Sequence, residues 1–356
     1  MLIVHNPLHI RHQGRHEMYR GRLVPCHEVP ARVDHVMAEL RRRDFGERRV
    51  PADLGLDEGD FAALLARVHQ RRYLDFLAGA WAEWVALDPA NAALDALPSV
   101  WPVRGFRADL EPANFAARMG LYSFDAGTPL TAGSWAAACE GARCAVLAAR
   151  AVGSAGATCR SAFALTRPPG HHAGPDFFGG YCFLNNAALA AQALRELGHA
   201  RVAVLDVDYH HGNGTQTLFE SRADVLTVSI HGDPRTEYPF YLGHADERGR
   251  GEGEGFNLNL PLPRGTGFDG WLGALHQALD RIARFEPGAL VVALGVDTFE
   301  GDPISGFRLR SADYLRVGAA IASLRRPTVF TFEGGYAVDE VGVNAVNVLE
   351  GFEAAP

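Results

Sequence analysis

Short apolar runs alternate with amphipathic stretches along most of this chain, and the alternation predicts strands followed by helices. The apolar runs predicted as strands are residues 2–4, 162–165, 202–205, 225–230, 289–294 and 328–332. Apolar positions three and four residues apart predict helices near 29–42, 61–77, 135–151, 185–197, 270–284, 312–324 and 338–352. Continuously apolar strands separated by helices are typical of a parallel sheet that is covered on both faces. We therefore expect a single domain over residues 1–356, a three-layer α/β/α fold with a mainly parallel central sheet.

Composition and charge narrow the functional classes. The 356 residues have a formal net charge of -8 without a basic stripe, which disfavours a nucleic-acid partner and favours a cationic substrate. All 34 Lys+Arg residues are arginine, so lysine Schiff-base chemistry is excluded. Five cysteines without paired spacing imply a reducing compartment. Since no stretch approaches the roughly 20 apolar residues of a membrane span, we expect a cytoplasmic protein without a membrane partner.

Potential metal ligands follow two of the predicted strands. Asp208 and His210, two residues apart after strand 202–205, project the same way on an extended segment and can converge on one cation. Asp297 follows strand 289–294, and the carboxyl ends of parallel strands collect functional residues. Taken singly, each acid is better explained as a helix cap or a turn acceptor. Together they favour a metal site with a coordination position open to water, which is typical of a metallohydrolase.

Two further strand ends offer groups for amide hydrolysis. His171 and His172 lie in the loop after strand 162–165, and Tyr336 follows two glycines after strand 328–332. A histidine can take a proton from water and return it to a leaving amine. A tyrosine hydroxyl can hold the oxyanion of the reacting carbonyl. In isolation these residues are also compatible with solvated histidines and a packed tyrosine.

These segments resemble a known family. The matching stretches are RPPGHHAGPDFFGGYCFLNNAALAAQ, LDVDYHHGNGTQ, SIHGDP, LGVDTFEGDPISGF and EGGY, which cover most of residues 160–340. They are similar to the zinc-dependent deacetylases of the arginase and histone-deacetylase fold, most closely to the bacterial acetylpolyamine amidohydrolases. Shorter similarities to that bacterial branch occur at HEMYRGRLVP and WPVR. The resemblance implies hydrolysis of linear amides in small acetylated polyamines or diamines.

The resemblance also implies the cofactors. Asp208, His210 and Asp297 are expected to bind one catalytic zinc ion, with iron(II) as the alternative metal. A structural potassium ion is expected near Asp206 and Ser229, with backbone oxygens near the zinc ligands completing its coordination.

The same resemblance assigns partners to the two histidines. Asp206 is expected to pair with His171, and Asn213 with His172. A carboxylate favours the charged form of its histidine, whereas a neutral amide leaves its histidine free to exchange protons. We therefore predict that His172 acts as the base and then the acid, with His171 as electrostatic support, although the two histidines are alternatives for the proton-transfer role.

Substrate-binding residues follow from the resemblance as well. The carbonyl of Gly180 is expected to accept the substrate amide N–H, and Tyr181 and Tyr238 are expected to line a narrow channel. Asp125 is predicted at the channel rim, where it would accept a substrate N–H.

The N-terminal segment 9–25, which we interpret as an Arg-rich loop, is expected from the same resemblance to pack against a second subunit in a homodimer and to restrict the channel mouth. Glu17 in this segment would approach the distal ammonium of the substrate.

Three other functions remain open from the sequence. A deacetylase acting on acylated lysine in proteins or peptides would use the same metal and histidines but would need a wider channel mouth. A binuclear manganese ureohydrolase would need further acids where His211 and Asn213 stand. A catalytically silent protein that binds acyl amines would keep the fold without the chemistry.

Overall fold

The computed structural model describes residues 1–157 and 159–355, and these residues build one central parallel sheet. Its strands are β1 (Leu2–His5), β4 (Glu47–Arg49), β5 (Ser161–Leu165), β6 (Val202–Asp206), β7 (Val225–Gly232), β8 (Asn257–Leu262), β9 (Ala289–Leu294) and β10 (Thr328–Phe332). The spatial order is β4-β1-β5-β10-β9-β6-β7-β8. Every pairing between these neighbours is parallel, so the predicted fold class is confirmed.

Helices cover both faces of this sheet. They are α1 (Ala31–Arg42), α2 (Pro51–Leu54), α3 (Glu58–Val68), α4 (Arg71–Leu87), α5 (Phe115–Leu121), α6 (Ser134–Gly153), α7 (Asn186–Glu196), α8 (Asn213–Phe219), α9 (Phe268–Phe285), α10 (Asp313–Ala322) and α11 (Val338–Ala354). Short 3-10 helices lie at 9–11, 89–93 and 251–253. One hydrophobic core packs α3, α4, α6 and α7 against one face, and a second packs α1, α9, α10 and α11 against the other.

The central strands form because both of their faces are buried. All residues of β5, β6, β9 and β10 are buried, and side chains of each strand alternate between the two cores. The predicted central strands and the helices from residue 134 onward agree with the structure to within a few residues at each end. The short strands β4 and β8 at the sheet edges were not predicted, because their polar positions give no continuous apolar run.

The predicted helix 61–77 is wrong as a single element. It is interrupted at His69, whose backbone is extended, so that α3 ends at Val68 and α4 begins at Arg71. The buried His69 ring bonds the carbonyl of Gly174 through Nδ1 (2.8 Å) and accepts the N–H of Asn185 through Nε2 (3.0 Å). The interruption therefore anchors the long loop between β5 and α7.

The predicted loop 9–25 is also partly wrong, because residues 16–25 form an antiparallel hairpin of β2 (His16–Tyr19) and β3 (Arg22–Pro25). The intervening residues Arg20 and Gly21 have φ angles of 50° and 78°, as a two-residue hairpin turn requires. Strands of four residues are too short for period-two alternation to be visible. This hairpin is the N-terminal element that borders the site described below.

Within the described parts of the chain, no helix has both the length and the apolar character that a bilayer crossing demands.

Candidate active site

Four loops meet at the carboxyl edge of the sheet, and they follow the four adjacent strands β5, β10, β9 and β6. The loop after β5 carries His171 and His172, and the loop after β10 carries Tyr336. Asp208 follows β6 and Asp297 follows β9. The order of strands therefore brings together residues that are up to 165 positions apart in sequence, as expected for a parallel α/β sheet.

The predicted metal ligands lie together. One ligand atom each of Asp208, His210 and Asp297 falls within 4.8 Å of the others, and all three residues are buried. Nδ1 of His210 is 2.9 Å from Oδ2 of Asp297 and 3.4 Å from Oδ1 of Asp208. The remaining carboxylate contacts orient the acids, because Oδ1 of Asp297 accepts the N–H of Tyr209 (2.8 Å) and Oδ2 of Asp208 accepts the N–H of Gly334 (2.8 Å).

The electrostatics of these ligands fit a cation. Burial and the neighbouring charge of Asp208 raise the pKa of Asp297 to about 7, because two carboxylates are crowded into a dry site. A divalent ion would relieve that repulsion. Gly334 keeps the space open, since a Cβ there would lie 2.5 Å from Oδ2 of Asp208 and 2.8 Å from Oδ2 of Asp297. Two carboxylates and one imidazole suit zinc or iron(II).

The histidine pair has the predicted partners. Nδ1 of His171 is 2.9 Å from Oδ2 of Asp206, and Nδ1 of His172 is 2.6 Å from Oδ1 of Asn213. Burial lowers the pKa of His171, but Asp206 and Asp208 outweigh burial and raise it to about 10. Burial and the charges of His171 and His210 hold the pKa of His172 well below its usual value. His171 is therefore suited to carry a positive charge, whereas His172 is neutral, as a general base must be before it takes a proton.

Tyr336 is held at the base of the site by contacts on its ring and its backbone. The guanidinium carbon of Arg32 lies 4.7 Å from its ring centroid, and the ring of Tyr181 lies 5.5 Å away. Arg32 also donates to the carbonyls of Gly335 (2.7 Å) and Glu333. This buried arginine therefore fixes the glycine loop that carries the tyrosine.

A pocket of about 550 Å³ leads from these residues to the surface. His172, His210 and Tyr336 lie among its lining residues, and Tyr181 and Tyr238 line its walls. Residues 17–20 of the hairpin also line the pocket. The pocket is therefore bordered by this hairpin within a single chain.

Asp125 is saturated with hydrogen bonds in the pocket wall. Its Oδ2 accepts the N–H of Gly180 (2.6 Å) and the hydroxyl of Tyr238 (2.6 Å). Its Oδ1 accepts the N–H of Gly127 and the hydroxyl of Thr128, both at 3.0 Å. Asp125 thus orients Gly180 and Tyr238, and its contact with substrate stays a prediction.

Glu17 lies in the pocket wall with its side chain almost fully buried. Its Oε1 accepts the hydroxyl of Tyr181 (3.0 Å) and contacts Nδ1 of His27 (2.7 Å). The bond to Glu17 outweighs burial and raises the pKa of His27. Glu17 therefore lines the pocket within a single chain, and its contact with the distal ammonium stays a prediction.

Several residues that support the site were missed by the sequence reasoning. Glu28 accepts from Arg32 (2.9 Å) and from Arg167 (2.7 Å) in a buried cluster. Glu333 accepts the N–H groups of Gly170 (2.6 Å) and His171 (3.1 Å). The position of Arg32 on the apolar face of α1, with Val36 and Leu40, could have indicated that its side chain is buried. Glu333 likewise stands at a strand end, as Asp206 does.

The fold and the site define a metal-dependent hydrolase of the α/β class. The chain matches the histone deacetylase domain over residues 26–352, and it therefore belongs to the histone deacetylase family. It is 51% identical over 353 residues to acetylpolyamine amidohydrolase 2 of Pseudomonas aeruginosa, with 99% of each chain covered. It is 42% identical over 351 residues to acetylpolyamine amidohydrolase of Mycoplana ramosa, again with 99% of each covered. The crystal structure of acetylpolyamine aminohydrolase from Burkholderia pseudomallei has a TM-score of 0.90 at 39% identity and 99% coverage of both chains.

Proposed function

We propose that this chain is a zinc-dependent deacetylase of small acetylated polyamines or diamines, such as acetylputrescine, acetylcadaverine and acetylspermidine. It would release acetate and the free amine. The observation that carries this proposal is the convergence of a three-ligand metal site, a histidine pair and Tyr336 at the base of one pocket. The full-length similarity to acetylpolyamine amidohydrolases supports the substrate class.

The chain's own residues support a hydrolytic sequence. Zinc, when bound, would polarise the acyl carbonyl and make water a stronger nucleophile near neutral pH. Nδ1 of His172 is committed to Asn213, so Nε2 is the atom that would take the proton from the attacking water. The same nitrogen would then return that proton to the leaving amine. His171, paired with Asp206, would stay protonated and stabilise the negative charge that develops nearby.

Two more groups would hold the amide. The hydroxyl of Tyr336 would donate to the developing oxyanion, and the carbonyl of Gly180 would accept the amide N–H of the substrate. Gly180 is fixed for this role because Asp125 accepts its N–H. In the overall reaction, water supplies one oxygen of acetate and one proton of the free amine.

The pocket supports a slender cationic substrate. Tyr181 and Tyr238 form the walls, and the carboxylates of Glu17 and Asp125 stand along them. With a formal net charge of -8, the protein would also attract a cation from solution. We therefore propose that the distal ammonium is held on the side of Glu17.

The remaining assignments are proposals of the same kind. Zinc is preferred for the catalytic site, with iron(II) as the alternative, and metal analysis of protein from metal-supplemented cultures distinguishes them. A potassium ion is proposed near Asp206 and Ser229, which stand opposite each other in the β6–β7 register. We further propose a homodimer that packs through segment 9–25, testable by light scattering. The five unpaired cysteines support a cytoplasmic location.

The deciding experiment compares kcat/KM of the zinc-loaded protein for N-acetylputrescine with that for an acetyl-lysine peptide, which carries the same acetylated primary amine. We expect a large preference for N-acetylputrescine. A preference for the peptide would refute the polyamine assignment in favour of a protein deacylase. Binding of both compounds without acetate release would instead indicate a silent acyl-amine-binding protein.

A further inference from the structure

The loop that follows Asp297 contains a buried acid to which the proposed chemistry gives no role. Asp302 is only 9% exposed. A carboxylate in such a position loses hydration and is tolerated when hydrogen bonds compensate for the loss. Its partners therefore indicate why a charged group stands there.

Backbone N–H groups from two loops stabilise the Asp302 carboxylate, those of Ile304 and of Tyr336 with its neighbour Ala337. Oδ2 accepts the N–H of Tyr336 at 2.7 Å, and Oδ1 accepts the N–H of Ile304 at 3.1 Å. Both Tyr336 and Ile304 line the pocket. One carboxylate thus connects the residue that carries the proposed oxyanion donor to a residue of the pocket wall.

The Gly335–Tyr336 peptide is held on both sides, because Arg32 donates to its carbonyl (2.7 Å) and Asp302 accepts its N–H (2.7 Å). Arg32 and Tyr181 contact the ring and restrict its orientation. The bond to Asp302 fixes the backbone from which the ring projects. A shift of that backbone would move the hydroxyl away from the 2.7–3.1 Å range in which, roughly, oxyanion donors act.

We propose that Asp302 is a positioning residue that sets the Tyr336 hydroxyl and the Ile304 wall in one fixed arrangement. This inference rests on the proposed function, because it assigns Tyr336 the donor role. An amide at position 302 has only one oxygen, and its NH2 group cannot accept an N–H. Asp302→Asn therefore breaks at least one of the two bonds.

The test is a double-mutant cycle of Asp302→Asn with Tyr336→Phe, in zinc-loaded protein with N-acetylputrescine as substrate. Asp302→Asn alone is expected to lower kcat roughly 10-fold, because a displacement below 1 Å misplaces the donor. In the Tyr336→Phe background the same change should lower kcat less than about 2-fold, since no hydroxyl remains to be positioned. Loss of the Ile304 bond would also raise KM, and any such rise should be equal in the two backgrounds, since it does not depend on the hydroxyl.

A loss in kcat of equal size in the two backgrounds would overturn the proposal, since Asp302 would then act independently of the hydroxyl. Glu300→Gln is the matched control: it neutralises a partly exposed acid of the same loop, which pairs with Arg310 at 3.7 Å, and should leave kcat unchanged. If the asparagine variant does not fold, Asp302→Glu takes its place. It keeps the charge but shifts the oxygens, so a smaller loss should again vanish in the Tyr336→Phe background.

The same assays with an acetyl-lysine peptide distinguish a failure of the positioning role from a failure of the proposed polyamine substrate. Turnover of the peptide without turnover of N-acetylputrescine would refute the polyamine assignment. The double-mutant cycle would then be measured with the peptide as substrate. A crystal structure of the Asp302→Asn variant tests the positioning role without an activity measurement. We expect a displaced Tyr336 hydroxyl beside unchanged metal ligands, and an unmoved hydroxyl would contradict the positioning role.

Discussion

Gly180→Ala is the change whose effect the structure specifies most closely. Gly180 has φ +53°, and an ideal Cβ there would lie 2.1 Å from Cδ2 and 2.7 Å from Cγ of His172. Ordinary contact begins at 3.4 Å, so the ring would have to move by about 1.3 Å, which is 3.4 Å less 2.1 Å. The ring is buried and tied to Asn213, so it cannot move without losing its proton-transfer geometry.

The expected result is a fall in kcat/KM of about 10²-fold, since a misplacement near 1 Å has effects of that order. The left-handed backbone should also cost about 1–2 kcal/mol of unfolding free energy. Acetate release from N-acetylputrescine measures the rate, and urea unfolding measures the stability. Metal content should match that of the unmodified protein.

Gly251→Ala separates backbone strain from the clash. Gly251 has φ +56°, and an added Cβ would have no heavy atom within 4 Å. This variant should lose similar stability but keep its activity. A kcat/KM for Gly180→Ala within about 3-fold of that for Gly251→Ala would refute the argument that the glycine is needed for clearance beside His172.

Three further predictions concern the donor, the metal and the buried ionic cluster. Tyr336→Phe should lower kcat by roughly 10²–10³-fold, the effect of losing one oxyanion donor, and near-native turnover would exclude that role. Asp297→Ala should abolish stoichiometric zinc, measured by metal analysis, and retained zinc would exclude it as a ligand. Glu28→Gln should lower the unfolding free energy by about 3–5 kcal/mol, because it leaves Arg32 and Arg167 buried without their anion. The exposed-pair variant Glu47→Gln should change it by less than about 1 kcal/mol, and equal losses would contradict the cluster's role.

The contribution of Glu28 to the unfolding free energy should decrease as the pH falls. Burial alone would raise the pKa of Glu28, but Arg167 and Arg32 outweigh burial and lower it below 4.5. A carboxyl group with a lowered folded-state pKa stabilises the protein above its unfolded-state pKa, and this contribution is lost as the pH falls through the folded-state value. The stability difference between the unmodified protein and Glu28→Gln should therefore shrink below about pH 4.5. A difference that grows on acidification would refute this reasoning.

The sequence is most informative where a potential ligand directly follows a continuously apolar strand. The buried strands β6 and β9 are continuously apolar, so their ends, with Asp208 and Asp297, could be located from the pattern alone. The pairing of His171 and His172 with Asp206 and Asn213 came from the family resemblance, and the structure brings those atoms within hydrogen-bond distance.

Other parts depend on contacts that no local pattern encodes. The hairpin 16–25 gives no strand signal in the sequence, because its strands are only four residues long. The sequence neighbours of Asp125 do not reveal its donors Gly180 and Tyr238, which come from other loops. The role of Asp302 depends on a backbone N–H 34 residues away, which only the folded chain brings near.

The division of the pocket between sheet and hairpin has a consequence for how this enzyme can change. The reacting end is built on four adjacent central strands, whose sequence must satisfy two cores at once. The outer wall at residues 17–20 belongs to a separate two-stranded element whose connecting turn faces solvent. Replacing that hairpin would change the outer wall of the pocket and remove the Glu17 acceptor of Tyr181, while the four strands that carry the reacting groups make their own contacts. The outer wall of the pocket can thus be redesigned through a ten-residue segment that contributes no strand to the central sheet.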